Sequence, residues 1–191
     1  DRPFPFATGP CDAAAFWRHR ELVQRLAAQD QKPLEPLWAD VTALQLSADL
    51  LAAAFRQAGV ARKKQRPATD REHAERAEAA KTFLASSMGR RVTLDDVARA
   101  VHTSPFHFTR IFQERAGIPV HRYLTRLRLR AALERLAEGE EDLTALALDL
   151  GFSSHSHFTD AFRREFGTTP SDVRRSASSR ALRRMSKNVE I

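Results

Sequence analysis

A chain of 191 residues, 42% hydrophobic and 29% charged, has room for one ordinary domain or two small ones, and none of its apolar runs approaches the ~20 residues of a membrane span. Its one cysteine, Cys11, excludes an internal disulfide and a Cys-based metal cluster, which fits a reducing, cytoplasmic setting. With 31 Lys and Arg against 24 Asp and Glu the net charge is +7, a balance that favours an anionic partner such as nucleic acid.

Residues 1–10 carry four Pro and Gly and read as an irregular lead-in. There is no basic-then-apolar leader and no initiating Met, so the start reads as that of a fragment or a processed chain. Asp12 is a natural N-cap for a helix over 13–29, with Phe16, Leu22, Val23 and Leu26 as its apolar positions. Lys32 to Pro36 break it. A second helix over 37–58 presents Leu37, Val41, Leu44, Leu46, Leu50, Leu51 and Phe55 and stops at Gly59. This antiparallel pair is too apolar to stand alone in water. Residues 1–61 therefore read as the last helices of an incomplete effector or dimerisation domain, with 13–58 as a homodimer surface.

The stretch RKKQRPATD, 62–70, reads as a linker. Charge divides there: 1–61 hold six cations and seven acids, 62–191 hold 25 and 17, so the whole excess lies in the second part. From Arg71 the pattern is helical throughout. A first helix, 71–87, turns Ala77, Ala80, Phe83 and Leu84 inward. Thr93 caps a short helix with Asp95 and Asp96 in its positive first turn, and Leu94, Val97, Ala98 and Val101 inside. His102 takes the turn, Ser104 caps the next helix with Pro105 first, Phe108, Ile111 and Phe112 bury it, and Gly117 ends it. A long helix over 119–137 joins two halves. Leu143, Leu146, Ala147 and Leu150 then form a stripe, Gly151 a turn, Phe158 and Phe162 a second stripe, and Gly167 a stop. The polar tail, 176–191, reads as disordered.

Two of these segments are copies. Leu94, Val97, Ala98 and His102 match Leu143, Leu146, Ala147 and Gly151 at an offset of 49, and Phe108, Thr109, Phe112 and Gly117 match Phe158, Thr159, Phe162 and Gly167 at 50. The second copy has one extra residue just before its second helix.

The segments LDDVARAVHTSPFHFTRIFQERAGIPVHRYLTRLRLRAALERL and LGFSSHSHFTDAFRREFGTTPSDVRR, with their Gly-Phe turn, paired Phe residues, Phe-Gly and Thr-Pro-Ser, resemble the DNA-binding domain of the arabinose-regulator (AraC/XylS) family. Two positions depart from it: His102 stands where the family often has Gly, and Asp160 where it often has Arg. A His adopts positive φ at modest cost. The resemblance covers 72–175 and implies an all-α fold: two helix-turn-helix subdomains over 71–175 joined by a long central helix and preceded by the helix pair of a truncated regulatory domain. It also implies a bacterial transcription regulator that is not an enzyme, uses no cofactor, takes double-stranded DNA as partner and contacts RNA polymerase.

In that family each second helix enters the major groove. With Phe108, Ile111 and Phe112 inward, steps of ~100° turn Phe106, Thr109, Arg110 and Gln113 outward. The second copy gives Ser156, Thr159, Asp160 and Arg163, with His155 at the exposed helix start. These nine are the candidate base contacts. Arg110 suits guanine, Gln113 adenine, and Thr109 or Phe106 a thymine methyl. Asp160 either accepts from cytosine or pairs with Arg163 or Arg164. Arg90, Arg91, Arg115, Arg164 and Arg174 flank the readers and are the candidate phosphate contacts.

Seven His residues show no metal-ligand spacing, and His155 and His157 point to different helix faces. Two rival readings remain open: a DNA-targeted alkyl-transfer enzyme using Cys11, and an interaction fragment acting through 13–58 without reading DNA.

Overall fold

The computed structural model describes residues 9–28, 35–59 and 67–176, and these form only helices and their connections. The Asp12 carboxylate accepts from the Ala15 amide at 2.7 Å and starts α1, Ala13–Ala27. Pro36, in the first turn where a missing N–H costs nothing, begins α2, Pro36–Gln57. The two run antiparallel, because Arg18 bonds Asp49 at 2.5 Å while the Arg25 guanidinium lies 4.5 Å over the Trp38 ring.

Helix α3, Pro67–Ser87, starts four residues before the expected Arg71, again on a proline. The last four residues of the expected linker are therefore helical, and the part before 67 lies outside the described residues. Helix α4, Leu94–Ala100, opens on a full capping box in which the Thr93 hydroxyl receives the Asp96 amide and the Asp96 carboxylate receives the Thr93 amide at 3.0 Å. Those bonds hold the Asp96 carboxyl below the usual carboxylate range. Helix α5, Pro105–Ala116, is capped by Ser104 and closed by Gly117 at φ 72°. The central α6, Val120–Ala137, follows Pro119.

The second half repeats the first. Asp142 caps α7, Leu143–Asp149; Ser154 caps α8, His155–Phe166; and Gly167 closes it at φ 72°. A ninth helix, α9, Pro170–Ser176, was not expected from the pattern. Its signal was present, since Thr169 and Asp172 exchange hydroxyl and carboxylate bonds as Thr93 and Asp96 do. The tail expected to be disordered lies, after Ser176, outside the described residues.

Two apolar cores result, and α6 serves both. Its first half sends Val120, Tyr123 and Leu124 to Leu84, Val97, Phe108 and Phe112. Its second half sends Leu129, Ala132, Leu133 and Leu136 to Leu146, Phe158, Phe162 and Val173. Leu37 and Val41 of α2 are fully buried in the first core, because α2 is apolar on a wide face and α1 covers only part of it.

Candidate nucleic-acid interface

Each unit holds its second helix at a fixed angle by the same devices: a serine cap, a left-handed residue in the turn, and two phenylalanines one helical turn apart facing the core. His102 supplies the first turn at φ 51° and Gly151 the second at φ 81°. Phe108 and Phe112 pack with ring centroids 5.5 Å apart, Phe158 and Phe162 at 5.7 Å, so the solvent faces of α5 and α8 are set by buried aromatic contacts.

On α5, Phe106 is 43% exposed, Arg110 is partly exposed and Gln113 is exposed. Arg110 lies 3.4 Å from His107 and 3.9 Å from Glu114, contacts loose enough to leave its guanidinium near solvent. Thr109 does not face outward as expected. It is 4% exposed and its hydroxyl donates to the Pro105 carbonyl at 2.6 Å. It follows Phe108 by one step of about 100°, which puts it on the flank rather than opposite the core. Its counterpart Thr159 is partly buried too, with an enclosed hydroxyl that has no hydrogen-bond partner. His155, Ser156, Asp160 and Arg163 are exposed on α8.

The flanking arginines are tied down to different degrees. Arg115, expected to be free for phosphate, bonds the backbone oxygen of Asp70 at 3.0 Å and also the Asp70 carboxylate. Arg90 donates to the Ser87 hydroxyl at 3.2 Å and lies over Phe83. Arg164 donates to the backbone oxygen of Asp160 at 3.2 Å, and Arg174 to that of Glu141. Arg91 is exposed.

The helix pair borders both α5 and α8, which the sequence did not reveal. Gln45 of α2 donates its amide to the side-chain oxygen of Gln113. A cleft of about 910 Å³ lies between α1–α2 and α6–α8, with Trp38, His121 and Arg122 on its walls beside Asp160, Arg163 and Arg164. Burial, with Arg122 and Arg25 nearby, lowers the His121 pKa to about 4. Its Nδ1 is buried without a hydrogen-bond partner. On the cleft wall, Glu35 meets the buried Arg128, and desolvation pushes the Glu35 carboxyl above its ordinary value against the pull of that guanidinium.

A family model described as a helix-turn-helix domain matches residues 97–176, from α4 through α9. The RhaS transcriptional activator of Escherichia coli is 39% identical over 83 residues, 44% of this chain and 30% of that protein. Over this segment the chain is similar to AraC-type regulators. The regulatory protein PocR of Salmonella typhimurium is 35% identical over 81 residues, 42% of this chain and 27% of its own length. The chain thus spans less than a third of these two relatives. A transcriptional regulator from Chromobacterium violaceum with an AraC-type DNA-binding domain superposes with a TM-score of 0.50 at 26% identity, over 53% of this chain and 91% of that one.

These likenesses bear on the rival readings. The two relatives are named as a transcriptional activator and a regulatory protein, names that favour a regulator over the alkyl-transfer reading. Cys11 is exposed ahead of α1, its thiol 3.8 Å from the Asp12 carbonyl. Among the described residues no helix is long and apolar enough to cross a membrane.

Proposed function

We propose that this AraC-like chain binds promoter DNA sequence-specifically, laying α5 and α8 in two major-groove segments, and thereby regulates transcription in the cytoplasm. The observation that carries the reading is the duplication: two units with the same caps, turns and paired phenylalanines, joined by one continuous helix, within the matched family domain. Phe106, Arg110 and Gln113 on α5, with His155, Ser156, Asp160 and Arg163 on α8, are the base-reading set. Arg91, Arg90, Arg164 and Arg174 serve the phosphates. Two readers on one side of B-DNA sit about one turn, ~34 Å, apart or bend the duplex between them. Gln113 reads a base only after leaving Gln45.

The helix pair is the end of a regulatory domain and the surface for a homodimer. Phe16, Trp17, Val23 and Leu26 of α1 are all exposed, and a stripe of this kind is the usual mark of an unfinished interface. Contact with RNA polymerase belongs to the same reading. The test is selection from random duplexes with mobility shifts at ~0.15 M salt, where non-specific binding is weak. Enrichment of a two-segment site supports the proposal, and recovery of bulk sequence rejects it.

A further inference from the structure

Arg128 is 1% exposed and sits on α6 between Leu127, which packs against the first core, and Leu129, which enters the second. Its Nε donates to the Met88 carbonyl at 2.9 Å and its Nη2 to the Arg90 carbonyl at 3.1 Å, both in the loop that leads into the first unit. The guanidinium also lies 5.7 Å from the Phe152 ring, and a Cβ on Gly151 would come within 2.8 Å of Nη2. The same planar group therefore touches the entry to one unit and the turn of the other. Its counter-ion comes from neither. It comes from Glu35, the residue that precedes α2 in the N-terminal pair.

A buried guanidinium is held in one plane only while all its acceptors are present, and removing its one charged partner leaves an uncompensated charge that draws in water or leaves the pocket. Either movement loosens Met88 and Arg90 on one side and the Gly151 turn on the other. We propose that Glu35 is a positioning residue that sets, through Arg128, the angle between the two reader helices. The N-terminal helix pair thereby determines which spacing of DNA segments the domain accepts. The DNA consequence rests on the reading under Proposed function; the geometric part does not.

The experiment uses the full chain with Cys11→Ser and spin labels at Glu114→Cys in α5 and Thr144→Cys in α7, both exposed positions. The native pair gives one narrow distance distribution. Glu35→Gln, which keeps shape and loses charge, broadens or shifts it with helical content unchanged; an identical distribution overturns the proposal. Should Glu35→Gln fail to fold, Glu35→Asp carries the same test by withdrawing the carboxylate one methylene, and a native distance again overturns it. A second arm takes the selected two-segment duplex with one or two base pairs inserted between the segments. Insertion weakens the native chain by roughly tenfold and Glu35→Gln by no more than about threefold. Equal spacing profiles overturn the proposal. A native chain that selects no sequence removes the DNA reading but leaves the spin-label result decisive for the angle.

Discussion

His102 and Gly151 occupy the same place in the two units and share a left-handed backbone, at φ 51° and 81°, yet only one of them has room for a side chain. His102 is exposed. A Cβ at Gly151 would approach the Met88 carbonyl at 2.6 Å and the Arg128 guanidinium at 2.8 Å. The first unit therefore tolerates a residue at this turn that the second cannot.

Substitution at the two turns follows from that difference. His102→Gly relieves left-handed strain and stabilises by roughly 0.5 to 1 kcal/mol, while Gly151→Ala adds strain and a clash and costs roughly 2 to 4 kcal/mol. Thermal denaturation of both variants checks this, and a neutral Gly151→Ala would remove the packing argument.

Phe162 has no exposed surface and lies against Phe158 and Phe166, so Phe162→Ala costs about 3 to 5 kcal/mol and melts the second unit first. Hydrogen exchange resolves the two units: rapid exchange confined to 143–176 is the expected pattern, and unchanged protection there would falsify the core assignment.

Arg110→Ala is expected to lose roughly 1 to 3 kcal/mol of discrimination at a single base pair. Binding titrations over a set of singly substituted duplexes provide the measurement. A uniform loss across the set would instead make Arg110 a phosphate contact.

Gln45→Ala removes the amide that holds Gln113. One neutral hydrogen bond is worth about 0.5 to 1.5 kcal/mol, so affinity for the selected site rises by roughly two- to tenfold, with little change in melting temperature. Weaker binding would show that Gln45 assists the reader.

His121 makes stability fall in mild acid. Its folded pKa, about 4, lies below the ordinary 6.5, so between these values the unfolded chain binds a proton that the folded chain excludes. The contribution is complete above pH 6.5, declines as the pH falls and is gone near pH 4. It is at most on the order of 3 kcal/mol. Denaturant titrations of the native chain and His121→Gln across this range should converge with falling pH, and parallel curves would rule the effect out.

Much of this was legible in the residues. Ser104, Ser154, Gly117 and Gly167 act through bonds within four residues of themselves, so caps and stops could be read directly. The repeat and its phenylalanines placed two units and a joining helix, and the all-α family domain followed. Thr109 was misread because an angular count assigns a flank residue to one side or the other, while burial depends on what covers that flank. Helix α9 was missed although Thr169 and Asp172 repeat the capping pattern of Thr93 and Asp96.

Sequence alone determined the first eight helices, their repeat and the inward phenylalanine stripes of α5 and α8, since periodicity and capping are local properties of the chain. Tertiary structure decided that Leu37 and Val41 enter the first core, that Gln45 reaches Gln113 across 68 residues, and that Glu35 meets Arg128 across 93. A buried ion pair has no periodic signature. Its partners are chosen by which surfaces the packed helices bring together, and that choice is made only when the chain has folded.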